Sequence, residues 1–332
     1  MVVMDANANA DVNSYAGTTY EARVAARVAA RDSLRGLALG DGFGEQCFPR
    51  RNPAAADMIR DRRTPTAPEW HWTDDTAMAL SVVRALELDG EIDPCHLAEL
   101  FGSSYHADEH RHYGYGMHRL LPRLAVAPAL WQGFARELFE GQGSLGNGAA
   151  MRVAPLGAWF GADLDKAAEQ AALSAAVTHA HPEGIAGAVA VAVAAAMAAA
   201  SRGGSIDQPR DFLRAAAQRT PSGKVHDGLL AAADLHPTAS VAEAAELLGT
   251  GKQIRAEDTV PFALWSAAHH LDDLVGALWC TAEGFGDVDT TCAITAGVVA
   301  ARTGIGAVPA LWLERLEPLP EWTADETNAV AG

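Results

Sequence analysis

The sequence predicts an all-α fold in a single domain, and three observations carry that reading. Hydrophobic residues make up 49% of the chain, and alanine, the strongest intrinsic helix former, supplies much of that share. Apolar residues recur at helical spacing in one segment after another. Long alternating runs of β-branched residues, the mark of half-buried strands, are missing.

Taken in order, the first helix runs from Tyr20 to about Leu39, with Val24, Val28, Leu34 and Leu37 on one face, and ends in the glycine-rich Gly40-Asp41-Gly42-Phe43-Gly44,. Residues 49–70, rich in Arg, Pro and Asp, read as a loop. Thr73-Asp74-Asp75-Thr76 then opens a helix to about Leu88, with Met78, Val82 and Leu86 aligned. Further helices fit Pro94–Tyr105, Met117–Arg123, Asp165–Thr178, Pro182–Ala200, Pro209–Gln218, Lys224–Ala233, Val241–Leu248, Val260–His270 and Leu271–Glu283. The last strong one runs from Asp289 to Arg302. The apolar Ala188–Ala200 run is too short for a membrane span and is stopped by Ser201-Arg202-Gly203-Gly204, so it reads as a buried helix. No internal repeat and no long polar linker divides the chain. Residues 20–318 are expected to form one domain, between a disordered N-terminus (1–19) and a flexible tail (319–332). The 31 glycines suit close helix crossings.

Lys and Arg number 25 against 42 Asp and Glu, a formal net charge of −17. Such a surface repels a phosphate backbone and anionic lipid, which argues against nucleic-acid and membrane partners. Cys47, Cys95, Cys280 and Cys292 form no CxxC pair and no regular framework. Free thiols in a reducing, cytoplasmic compartment are the expectation. Met1–Gly17 is polar and acidic and lacks the basic-then-apolar pattern of a signal peptide.

The strongest chemical signal is Trp72-Thr73-Asp74-Asp75-Thr76. Thr73 is placed to cap the helix, and two adjacent carboxylates sit in the first turn, where the helix dipole favours negative charge. Capping alone would explain this segment in isolation. Gly286-Asp287-Val288-Asp289-Thr290-Thr291 repeats the pattern before a second helix. Asp-x-Asp spacing can aim both carboxylates at one point when the first lies on the approaching loop. Together the two elements offer an all-oxygen donor set, suited to Mg²⁺ or Mn²⁺ rather than Zn²⁺. Four carboxylates can hold two such ions roughly 3.5–4 Å apart around an activated water.

Gly141-Gln142-Gly143-Ser144-Leu145-Gly146-Asn147-Gly148 is a glycine-rich segment whose backbone can approach a ligand closely and receive a diphosphate,. It is neither a Walker A loop nor a dinucleotide fingerprint. Thr178-His179-Ala180-His181 precedes the alanine-rich helix, and His179 in particular is a candidate phosphate or ribose contact.

In this order the segments resemble the ADP-ribosylglycohydrolase family, which includes dinitrogenase reductase-activating glycohydrolase and the ADP-ribosylarginine hydrolases. The matching stretches are Gly36–Gly44, Trp72–Met78, Gly143–Arg152, Thr178-His179, Val260–Trp265 and Gly286–Ala293. The resemblance implies an orthogonal multi-helix bundle with a dinuclear Mg²⁺ or Mn²⁺ site. It implies Thr73, Asp74, Asp75, Asp287, Asp289 and Thr290 as metal ligands, with Asp74, Asp75 and Asp289 catalytic. Ser144, Gly146, Asn147, Gly148, Met151 and His179 fall on its ADP-ribose-contacting positions. The implied activity is hydrolysis at ribose C1″ of ADP-ribose on a protein side chain, arginine being the expected attachment. The substrate is then ADP-ribosylated protein or ADP-ribose itself. A two-metal phosphoesterase and a non-catalytic ADP-ribose binder are the rival functions.

The chain departs from the resemblance at one point. Many relatives continue Gly-Asp-x-x-Gly-x-x-x-Glu; here that last position is Phe48, with Glu45 three residues earlier. Tyr113-Gly114-Tyr115-Gly116 resembles a short family segment and is a candidate lining of the adenosine or leaving-group side. His106, His110 and His112 read as a solvated loop. His269-His270 with Asp272-Asp273 reads as the polar face between two helices. Trp279 and Trp312 read as packing residues.

Overall fold

The computed structural model describes residues 20–205 and 208–323. Among them are 16 α-helices, short 3₁₀ turns and no named strand. The helices are α1 (Tyr20–Glu45), α2 (Ala55–Arg60), α3 (Asp74–Asp89), α4 (Pro94–Ala107), α5 (Tyr115–Val126), α6 (Trp131–Glu137), α7 (Ala154–Phe160) and α8 (Leu164–Ala176). They continue with α9 (Pro182–Ala200), α10 (Pro209–Ala217), α11 (Lys224–Asp234), α12 (Val241–Leu248), α13 (Ala256–His269), α14 (Leu274–Glu283), α15 (Val288–Thr303) and α16 (Ala310–Arg315). The all-α reading holds.

The packing that positions the site is the antiparallel crossing of α1 and α15, the most extensive helix pair in the fold. Gly36, Gly40 and Gly44 stand four residues apart on one stripe of α1. A Cβ at Gly36 would run into Ala300 Cβ, one at Gly40 into the Cys292 carbonyl, and one at Gly44 into the Asp289 backbone. This corrects the expected helix end. The glycine-rich segment does not stop α1; α1 continues through it to Glu45, because the gain from close packing outweighs the roughly 1 kcal/mol helix penalty of each glycine. The crossing brings the C-terminal end of α1 against the N-terminal end of α15.

Helix α9 forms the other centre. It is long and apolar enough to cross a membrane by length and composition. Here most of its residues are buried, packed against α7, α8, α13 and α15. Phe43, Trp70, Trp279 and Trp312 form an aromatic cluster with ring centroids 5.0–6.0 Å apart, which places Trp279 and Trp312 in the core.

Four helices fall where none was expected. The 49–70 loop contains α2, whose Met58 and Ile59 are buried. The short α6, α7 and α16 span two turns or fewer each, too short for periodicity to register. The expected disorder of residues 1–19 lies outside the described residues. Within 319–332, Leu319 and Trp322 pack against a core cluster, and the Arg84 guanidinium lies 5.4 Å from the Trp322 ring. The described body therefore extends through Thr323. His269 and His270 sit at the α13–α14 turn as expected, His269 Nδ1 lying 2.8 Å from the Trp265 carbonyl oxygen, and Asp273 caps α14 through Gly276 N–H at 2.8 Å.

Candidate active site

Both acidic segments are helix starts, and the fold brings them to one cavity of about 580 Å³. Its wall includes Asp74 and Asp75 from α3 and Asp287, Asp289 and Thr290 from the start of α15. The two elements touch: Thr290 Oγ1 donates to Asp75 Oδ1 at 3.3 Å.

Helix α3 is held there by α1. Asp41, buried near the end of α1, accepts with Oδ2 from Thr73 N–H at 2.8 Å, Thr76 N–H at 3.1 Å and Thr76 Oγ1 at 2.6 Å. A carboxylate from another helix thus caps α3, adding to Thr73, whose own Oγ1 accepts from Asp75 N–H at 3.4 Å. Thr73 is buried and does not line the cavity. Of the expected metal ligands it is the one outside the cavity lining, and its hydroxyl meets the start of α3.

On the α15 side, Gly286 takes a left-handed conformation (φ 88°), and a Cβ there would collide with the Thr250 carbonyl. That close approach lets Asp287 N–H donate to Thr250 O at 2.9 Å. Asn147 Nδ2 then donates to Asp287 Oδ2 at 2.7 Å and to Thr259 Oγ1 at 3.1 Å. Asn147, expected to contact ligand, lines the cavity. Its amide also orients a carboxylate, and this binds the glycine-rich segment to the acidic one.

The electrostatics are unusual for a protein interior. Among the described residues, none of Asp74, Asp75, Asp287 and Asp289 forms an ion pair with a Lys or Arg, and Asp75 Oδ2 is buried with no hydrogen-bond partner. Burial, then repulsion from Asp41 and Asp287, raises the Asp74 carboxyl to about 8. Burial and neighbouring carboxylates push Asp75 and Asp289 well above the usual range, and burial raises Asp287. Burial also lifts Asp41 to about 6 against the hydrogen bonds it accepts. Desolvation and mutual repulsion therefore outweigh the helix dipole, which favours ionised carboxylates by about 0.3–1 kcal/mol. Among the described residues no three His, Cys, Asp or Glu side chains are drawn together as ready-made ligands of one ion. What exists is a set of facing carboxylate and hydroxyl oxygens with an orphaned buried acceptor, which fits hard cations.

The opposite wall is the glycine-rich loop. Ser144, Gly146, Asn147, Gly148 and Met151 all line the cavity, as does His179. The loop is pinned by Ala256 N–H donating to Leu145 O at 3.0 Å. His179 shares a 2.7 Å hydrogen bond with Thr178 Oγ1, and burial together with the Arg152 charge lowers it to about 3. The ring is neutral and lies under the loop, where a Cβ on Gly148 would approach it to 3.0 Å. His181 is instead the N-cap of α9, accepting from Glu183 N–H at 3.1 Å.

Among the residues of the wall not singled out from sequence are Phe139 and Ile254. Phe139 and Ile254 line the mouth with positive φ, 52° and 56°, strained conformations that gather at functional sites. Gly116 lies against the Phe139 ring, while Tyr115 is exposed at the rim and Tyr113 is buried against Tyr105 and His118. His112, read as solvated, also lines the mouth. Arg152 is fully buried beneath the loop, donating to Ser174 O at 2.7 Å and to Gly148 O at 3.3 Å. Glu45 and Phe48 both reach the wall, and Glu45 forms an ion pair with Arg51.

The helical body, acidic cavity, glycine-rich loop and neutral histidine fit a glycosidic-bond hydrolase of the ADP-ribosyl class, and the family match assigns the chain to that class. The chain belongs to the ADP-ribosylglycohydrolase family, which it matches over residues 21–331. It is similar to the ADP-ribosylhydrolase ARH3 of Danio rerio, 27% identical over 346 residues and 90% of each chain. It is 32% identical to human ADP-ribosylhydrolase ARH3 over 156 residues, 43% of each. That match and several like it span less than half the length of the curated relatives. Among solved structures, an ADP-ribosylglycohydrolase-related protein complex shares the fold with a TM-score of 0.56 at 25% identity, covering 88% of this chain and 93% of that one.

Proposed function

We propose that the protein removes ADP-ribose from a modified side chain, with two divalent cations, Mg²⁺ or Mn²⁺, held by Asp74, Asp75, Asp287, Asp289 and Thr290. The observation that carries the reading is the meeting of two acidic helix starts and a glycine-rich loop around one cavity. At about 580 Å³ it lies within the roughly 300–1,000 Å³ range of small-molecule sites.

Bound there, the ions would lower the pKa of a water so that it can be deprotonated to a nucleophile at neutral pH. The chain's own residues do the rest. A carboxylate oxygen of the Asp74–Asp75 pair takes the proton of the attacking water as the water oxygen bonds to ribose C1″; the bond from C1″ to the side-chain atom breaks, and the proton passes to that leaving atom, while Asp289 would help hold the cations. The loop from Ser144 to Gly148 receives the diphosphate with backbone N–H groups. Neutral His179 adds a hydrogen bond without adding charge. Phe139 offers an exposed apolar face suited to stacking on adenine. Asn147 holds Asp287, and Asp41 holds the start of α3.

The relatives carry the general name ADP-ribosylhydrolase, which leaves the attachment open. Arginine, expected from the sequence resemblance, is one linkage to test among several. A cytoplasmic location belongs to the same proposal and is supported by four unpaired cysteines.

The test is incubation with protein or peptide carrying ADP-ribose in defined linkages, alongside a generic phosphoester. The expected result is free ADP-ribose, no inorganic phosphate, and reversible inactivation by EDTA. Phosphate release would favour the phosphoesterase reading. ADP-ribose binding without release from any linkage would favour a non-catalytic binder.

A further inference from the structure

Arg50 stands just beyond the end of α1, exposed on the wall of the cavity. Its guanidinium carbon lies 4.8 Å from the centre of the Phe48 ring, and that ring also lines the cavity. The neighbouring cations are committed: Arg51 pairs with Glu45, Arg111 with Glu317 at 2.6 Å, and Arg255 with Glu257 at 4.0 Å. Among the described residues Arg50 forms no ion pair. In a chain with a formal charge of −17, an unpaired guanidinium braced on an aromatic shelf is a local reversal of sign.

Its place along the cavity matters. Gly44, at the end of α1, packs against the backbone of Asp289, and Glu45, Phe48 and Arg50 share the cavity wall with Asp287 and Asp289. The segment that carries Arg50 therefore leaves α1 at the acidic end of the site, where the scissile bond sits if the proposed function holds. The carboxylates deeper in are committed to cations under that same reading. The exposed guanidinium is then available to a group that leaves through the mouth.

We infer that Arg50 is a specificity-determining residue that recognises a carboxylate on the leaving side, so that the preferred substrate is an ADP-ribosylated peptide whose modified residue is flanked by Asp or Glu. A guanidinium suits this role because its planar fork donates bidentately to a carboxylate, and the shelf restricts its orientation. The rim is solvated, so the effect is modest and sensitive to salt. The inference rests on the hydrolase reading.

The experiment uses the full chain and matched peptides that share one ADP-ribose linkage and differ only in having Asp/Glu or Lys/Arg flanks. kcat/KM is measured for wild type, R50Q and R50E, with ADP-ribose affinity by calorimetry for each. Wild type is expected to favour the acidic flanks by about three- to tenfold, a preference that shrinks as salt screens exposed charges. R50Q should bring the ratio close to one and R50E should invert it, with ADP-ribose affinity held. A wild-type ratio near one, or a preference that survives R50Q, overturns the assignment. A loss of ADP-ribose affinity in R50Q also overturns it, by placing Arg50 on the diphosphate. Release from none of the peptides overturns the hydrolase reading itself, a separate outcome.

Discussion

Thr290 Oγ1 donates to Asp75 Oδ1 across 3.3 Å, although the two residues are 215 positions apart in the chain. That bond joins the first turn of α15 to the first turn of α3. Two further contacts make the junction rigid: Asp41 caps α3 from α1, and Asn147 fixes Asp287 from the glycine-rich loop. Each helix start would be unexceptional alone. Joined, they concentrate negative charge in one cavity to a degree that a folded protein supports only when cations or protons balance it.

Asp289→Ala should abolish divalent-metal-dependent turnover while leaving the fold intact. Loss of a group that acts on the transition state costs about 100-fold or more in rate. Because Asp289 is repelled by Asp287, Asp41 and Glu45, its removal should leave the metal-free protein at least as stable as wild type. Circular dichroism melts and single-turnover assays with and without Mg²⁺ check both halves. Retained activity would exclude Asp289 from the site.

Asn147→Ala should weaken metal binding without touching a ligand. The amide holds Asp287 at 2.7 Å, and removal of such an orienting partner typically costs about 10–100-fold in metal affinity or activity. Asn147→Asp should be worse, since it places a like charge against Asp287. A Mn²⁺ titration followed by calorimetry reads the change directly.

The metal-free protein should lose stability as pH rises from about 4 to about 8. Asp74 in the folded state is raised to about 8 and Asp41 to about 6, from the ordinary aspartate value of 3.8. Between those limits the native state binds more protons than the unfolded chain. Stability therefore falls with rising pH over that window. Asp74→Asn should flatten the slope, and saturating Mg²⁺ should raise Tm more at pH 8 than at pH 5. Thermal melts across pH for both proteins, with and without the cation, measure this. Parallel slopes for wild type and Asp74→Asn would contradict it.

Gly40→Ala tests the helix crossing that sets the site. On an open helix the change would stabilise by about 1 kcal/mol. Here the new methyl meets the Cys292 carbonyl and Ala296 Cβ, and overpacking of this kind costs about 1–3 kcal/mol. Gly133→Ala is the control, because that helical position has nothing within 4 Å of an added Cβ. Urea unfolding should show the first variant destabilised and the second neutral or stabilised.

Much of this was legible in the sequence, for local reasons. Thr73 marks the start of α3 because the cap is made by neighbours in the chain. Pro182 and Ser201 bracket α9 in the same way. The end of α1 was misread because glycines break an isolated helix, and only the presence of α15 reveals why they are there. Asp41 went unassigned because the donors it serves, Thr73 and Thr76, lie 32 and 35 residues away. Phe139 and Ile254 carry positive φ that no residue type announces.

The most direct test of the central claim is anomalous diffraction from crystals grown with Mn²⁺. The expected result is two peaks in the cavity, between the Asp74–Asp75 and Asp287–Asp289 carboxylates and lost in Asp289→Ala. An anomalous map empty at that position under saturating Mn²⁺, or peaks confined to the protein surface, would contradict it.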